Sequence, residues 1–231
     1  MSDAGSRALI LGALRRALRQ GRPLPDDTAA LLAARLAAPP RHPVPARSLV
    51  PHAARGALLT GLLEREQASV RTLGSLAELP GAVAEYLAAQ NLPAAAVLAP
   101  HPDLAAAPWG EPPWLAIRTG LPNPEDQVGI QVAWAGIAET GTLVFPSGPT
   151  RPTTLNLLPE TEIVLLRTSR VVGPPEEAFA RWRRTRGPGL PRSLMLVSGP
   201  SRSSDIEHTQ EFGAHGPRRL HVLLLDDGPP S

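Results

Sequence analysis

The feature that most constrains this chain is a series of short, almost unbroken apolar runs separated by helical or loop-forming stretches. Ala95-Ala96-Val97-Leu98-Ala99 is the plainest of them, enclosed by Pro93 and Pro100. A run that is apolar at both alternations suits a strand covered on both faces, as in a parallel sheet. Similar strands are expected at Val70–Leu73, Trp114–Ile117, Gln131–Ala138, Thr142–Phe145, Glu162–Leu166, Ser193–Val197 and Leu220–Leu225. Helices are expected over 53–68, Leu76–Gln90, Arg151–Leu158, Glu176–Arg184 and Asp205–Gln210. Strands alternating with helices predict an α/β fold, a mostly parallel sheet with flanking helices. The Glu139-Thr140-Gly141 turn inserts one antiparallel pair.

Residues 1–52 read differently. Leu9, Ile10, Ala13, Leu14, Ala17 and Leu18 recur at helical spacing, with Arg15, Arg16 and Arg19 on the opposite arc. A second helix is expected from Asp26-Asp27 to Leu36, and Ala38–Pro51 holds five prolines, as in a strap or linker. The expected organisation is an N-terminal helical arm and Pro-rich strap over 1–52, then an α/β domain over 53–231.

Composition removes several function classes. The chain has no Cys, so no disulfide framework, thiol nucleophile or thiolate ligands for an iron–sulfur cluster. All 23 basic residues are Arg, but the net charge is only +2 and aromatics make up 3%. A nucleic-acid surface needs a concentrated basic face, usually with aromatics, so no such partner is expected. No run approaches about 18 apolar residues, so no membrane span is expected, and the cytoplasm is the default location. No Walker loop, Gly-x-Gly-x-x-Gly fingerprint or Gly-x-Ser-x-Gly elbow is present.

Two passages put hydroxyls, glycines and charges directly after strands, where sites in α/β proteins are built. The first is Glu139-Thr140-Gly141-Thr142, continuing to Ser147-Gly148-Pro149 and Arg151. Glu139 is placed to act as a base or a carboxylate nucleophile, or else to cap backbone N–H groups. The second is Ser198-Gly199-Pro200-Ser201-Arg202-Ser203-Ser204-Asp205-Ile206-Glu207, followed by His215-Gly216-Pro217. A strand, a Gly loop and a helix start suit an anion. Ser204 and Glu207 equally fit a capping box, and Asp205 and Glu207 oppose an anion there, leaving the attraction to Arg202 and Arg151. No metal site is expected. The two passages are expected to meet in one cleft. Its candidate residues are Thr140, Gly141, Thr142, Ser147, Gly148, Arg151, Gly199, Ser201, Arg202, Asp205, Glu207 and His215, with Glu139 catalytic.

Together with Leu157-Leu158-Pro159, Gly213 and Leu220-His221-Val222, these passages resemble the lactate-utilisation branch of the LUD-domain family, in order and in spacing. The resemblance covers about the C-terminal half. It implies a fold similar to the group of ribose-phosphate isomerases, glucosamine-phosphate deaminases and CoA transferases. It also implies a place in a bacterial system oxidising L-lactate to pyruvate, with iron–sulfur clusters in partner proteins and a small carboxylate as ligand. CoA transferases carry a nucleophilic Glu in a Glu-Asn-Gly-like turn, so a stand-alone CoA-transferase-like or sugar-phosphate enzyme using Glu139 is the alternative. Thr140 stands where that pattern has its amide.

Overall fold

The computed structural model describes residues 3–19, 25–39, 43–186, 189, 191–204 and 210–228. The chain divides into two compact units, Met1–Pro43 and Val44–Ser231. The first contains α1 (Asp3–Arg19) and α2 (Asp26–Ala37). Asp26 and Asp27 occupy the first turn of α2 and Arg35 its last, each favourably placed in the helix dipole. Leu9, Ile10, Leu14 and Leu18 of α1 and Leu31, Leu32 and Leu36 of α2 are exposed.

The second unit opens with a 3-10 turn, Ala46–Ser48, and continues through α3 (His52–Arg65), β1 (Ser69–Leu73), α4 (Leu79–Ala89), β2 (Ala95–Leu98), α5 (Pro102–Ala105), β3 (Ala116–Thr119) and β4 (Val128–Val132). Then come β5 (Ala135–Ile137), β6 (Thr142–Pro146), β7 (Thr161–Arg167), β8 (Val171–Val172), α6 (Pro175–Arg186), β9 (Leu194–Val197), β10 (Arg202–Ser204), β11 (Gln210–Phe212) and β12 (Arg219–Leu225). The main sheet has six strands in the order β1-β12-β7-β4-β2-β3, every neighbouring pair parallel. A four-stranded sheet, β8-β5-β6-β9, contains the antiparallel β5–β6 pair. The α/β reading, with its mostly parallel sheet and flanking helices, holds.

The strand sequences explain the layering. In β7 Ile163 and Leu165 point to one face and Val164 and Leu166 to the other. The first pair packs with α4 residues Leu79, Val83 and Leu87. The second packs with Leu59 and Leu63 of α3 and with Leu143 and Phe145 of β6. α3 and the smaller sheet therefore cover one face, and α4 the other. Glu162 breaks this apolar pattern, on the face turned toward the smaller sheet, and is fully buried.

Three local expectations are corrected. Gln131–Ala138 is two strands, because the Ala133 N–H still donates to Leu165 O in the main sheet while the Trp134 N–H donates to Val144 O in the other. Arg151–Leu158 holds only a 3-10 turn, Thr153–Asn156, since Pro152 and Pro159 bracket β-branched Thr153 and Thr154. Of the helix expected over Asp205–Gln210, residues 205–209 lie outside the described residues. Gln210 itself begins a strand paired with Ser204.

Candidate functional site

Both sequence loops dock on the last turns of α3. Gly141, at φ +64°, lies so close that a β-carbon there would stand 2.7 Å from Leu62 Cβ. One turn later on the helix, a β-carbon at Gly199, at φ +101°, would stand 2.9 Å from Glu66 Cβ and 3.0 Å from Glu66 O. Positive φ and close approach are both conditions that glycine alone meets cheaply. The loops are also joined directly. Thr140 Oγ1 and Thr142 Oγ1 are 2.7 Å apart, and Thr142 Oγ1 lies 2.7 Å from Ser198 Oγ. Antiparallel pairing of β6 with β9 sets Leu143 against Val197 and brings these hydroxyls into register.

A cavity of about 230 Å³ opens beside the second loop, lined by Asn156, Glu162, Ser198 to Ser201, and the His215–Pro217 turn, with Leu157, Met195 to Val197 and Leu220 adding apolar surface. Ser201 organises the rim: its N–H donates to Pro217 O at 2.8 Å, and its Oγ accepts from the His215 N–H at 3.2 Å. Gly216 fits beside Asn156, where a β-carbon would come within 3.3 Å of Asn156 O. At the floor, Gln131 Nε2 and Asn156 Nδ2 both donate to Glu162 Oε1, at 2.5 and 2.8 Å. Burial raises the Glu162 carboxyl to about 7, against the lowering effect of these two amides. Oε1 being doubly occupied as an acceptor, the acid proton belongs on Oε2.

Glu162 belongs to no sequence motif, although a carboxylate inside an otherwise apolar parallel strand was a visible signal. Gln131, in an equally buried strand, was a second.

The remaining candidates are distributed elsewhere. Glu139 does not line this cavity. Its side chain, only 7% exposed, accepts from Arg47 Nη2 at 3.1 Å beside a separate hollow bounded by Leu58, Leu62 and Arg65. Arg202 is ion-paired with Glu66 and also donates to Glu66 O at 3.2 Å, which fastens the loop to the α3 C-terminus. Ser147 locks β6 to the segment before β9, accepting from the Ser193 N–H at 2.9 Å. Gly148 forms an antiparallel bridge with Arg151. Asp205 and Glu207 lie outside the described residues.

Arg151 belongs to a different region. It donates to Val132 O at 2.9 Å and meets His101 Nε2 at 2.9 Å, at the carboxyl ends of β4 and β2. These two strands mark the topological switch point: β2 connects outward to β3, and β4 back toward β7. Next to it Arg167 forms a two-pronged pair with Asp103, at 2.8 and 2.9 Å. That pair holds the Asp103 carboxyl below its usual range, while burial and the Arg151 charge push His101 down. His101, Asp103 and Arg167 carry no sequence motif, and only the order of the strands brings them together. Among the described residues no group of three or more His, Cys, Asp or Glu side chains is arranged to hold a metal ion. Nor is any helix among them long and apolar enough to cross a membrane.

The span from β4 to the end of β12 matches a known family model, the LUD domain, over residues 126–225. The matched residues, similar to the LUD domain, make up less than half of the chain. Among similar proteins is an uncharacterized protein of Neisseria meningitidis serogroup B, 39% identical over 97 residues, or 42% of this chain and 41% of that protein. Lactate utilization protein C of an Exiguobacterium species is 34% identical over 102 residues, 43% of this chain and 44% of its own length. The match thus spans less than half of these relatives. The crystal structure of a DUF162 family protein from Deinococcus radiodurans superposes with a TM-score of 0.58 at 22% identity, covering 76% of this chain and 99% of that one. That likeness extends the fold beyond the LUD span.

Proposed function

We propose that this chain is a component of a lactate-utilisation system, binding a small carboxylate and acting beside iron–sulfur partner proteins in the oxidation of L-lactate to pyruvate. The observation that carries the reading is the position of the LUD span. It takes in both loops and the whole lining of the cavity beneath the second, and relatives aligned with this chain bear the name lactate utilization protein C. The cavity's chemistry supports the ligand class. Hydroxyls of Ser198 and Ser201, the His215 turn and a buried carboxyl surround a space suited to a small oxygen-rich molecule. Oxidising a 2-hydroxy acid releases two electrons, and a chain without cysteine has no thiolates with which to hold a cluster that would accept them. The clusters therefore belong to the partners, and this chain supplies binding and orientation. Glu139, paired with Arg47 and outside the lining of this cavity, is assigned no role in this step.

The test is reconstitution. The purified chain should give no L-lactate-dependent reduction of a redox dye by itself, and should be required for it when the iron–sulfur proteins are added. Full turnover by the isolated chain would overturn the accessory role.

A further inference from the structure

We propose that Glu162 and Asn156 form the floor that selects a 2-hydroxy carboxylate. The neutral Glu162 acid donates from Oε2 to the ligand's C2 oxygen, and Asn156 Oδ1 accepts that hydroxyl's proton. The inference rests on the small-carboxylate reading above and names what distinguishes the ligand within that class.

Two observations meet here. Asn156 is only 3% exposed and lines the cavity, yet its Oδ1 has no hydrogen-bond partner among the described residues. A buried acceptor left unpaired is costly, and a ligand hydroxyl supplies the missing donor. Beside it, Glu162 is 1% exposed, lines the same cavity, and has Oε1 taken by the two amides, which leaves Oε2 to the cavity. Burial supports the neutral form up to about pH 7. A neutral acid admits an anionic ligand; an ionised one repels it at short range. A 2-oxo acid, which has no hydroxyl proton, leaves Asn156 Oδ1 unpaired.

The groups facing Glu162 are few. β4 contributes Gln131, β12 contributes Leu220, and the segment after β9 contributes Ser198 and Ser201. His215 is the other titratable side chain described in the lining, and the Arg202–Glu66 pair stands behind Gly199.

The experiment is calorimetric titration of the full chain with L-lactate, pyruvate and propionate at pH 6 and pH 8. At pH 6 the wild type should favour L-lactate over both analogues by roughly tenfold, about the worth of one well-made hydrogen bond. Its lactate affinity should fall at pH 8. Glu162→Gln offers an amide N–H in place of the acid O–H, so it should keep the preference and lose the pH dependence. Glu162→Met, which removes the donor to the C2 oxygen of L-lactate and pyruvate alike, should weaken both relative to propionate, and His215→Asn should leave the pH dependence in place. An unchanged pH profile in Glu162→Gln, pyruvate binding as tightly as lactate, or L-lactate and pyruvate undiminished against propionate in Glu162→Met would each overturn the floor while leaving carboxylate binding standing. If the wild type bound none of the three acids, the small-carboxylate reading would fail, and the floor with it.

Discussion

Glu162 and His221 make opposite contributions to stability as pH changes. Glu162 has a folded pKa of about 7 against 4.5 in an unfolded chain. The unfolded state therefore releases its proton first, and the stabilisation present below 4.5 is lost as pH rises through 7. His221 is stacked on Tyr86 at 4.0 Å and lies 2.8 Å from Ser69 Oγ, with burial lowering it from 6.5 to about 4. Its contribution is complete above 6.5 and is lost as pH falls toward 4. Glu162→Gln, neutral at every pH, should therefore gain on the wild type between pH 5 and pH 8 by on the order of 3 kcal/mol, as denaturant unfolding would measure it. A constant difference across that range would mean that Glu162 is ionised in the fold throughout. At Gly199, replacement by Ala meets both a positive φ and the Glu66 contact, so the expected cost is about 2 kcal/mol. An unchanged melting temperature would show that the loop does not hold this approach to α3.

The element that assembles the site is α3. Leu62 and Glu66 are one helical turn apart, so a single face receives the β5–β6 turn and the loop after β9. The Thr140–Thr142–Ser198 hydroxyl chain joins the same two elements from the sheet side. Thr142→Val and Ser198→Ala should each cost about 1 kcal/mol, and the double variant less than their sum, because each single change removes the shared bond. Strict additivity in denaturant unfolding would show that the two hydroxyls do not interact. These contacts also set what was legible beforehand. Strands such as Ala95–Ala99 announce their burial, and the glycines and hydroxyls of both loops were visible as a candidate site. The partners of their charges were not. Arg202 reads as an open cation until Glu66 from a distant helix is set against it, and Arg151 belongs with His101 through the strand order alone. Glu162 was legible as a strand residue, but its hydrogen bonds come from Gln131 and Asn156 on other segments.

On the scale of the whole molecule, the chain divides at Pro43/Val44, and the turn containing Arg47 and Ser48 belongs to the second unit. Deleting residues 1–43 should leave Val44–Ser231 with a cooperative unfolding transition and its own melting temperature. Deleting 1–50 should lower it, since it also removes buried Ser48 and the Arg47–Glu139 pair. Equal melting temperatures for the two truncations would show that this turn adds nothing to the domain. The measurement that bears most directly on the central claim is a crystal structure of the full chain with L-lactate at saturating concentration. Lactate should lie in the cavity beneath the second loop, its hydroxyl between Glu162 and Asn156. Lactate found instead at the Arg151–His101 end of the sheet, or beside Glu139 and Arg47, would contradict the account.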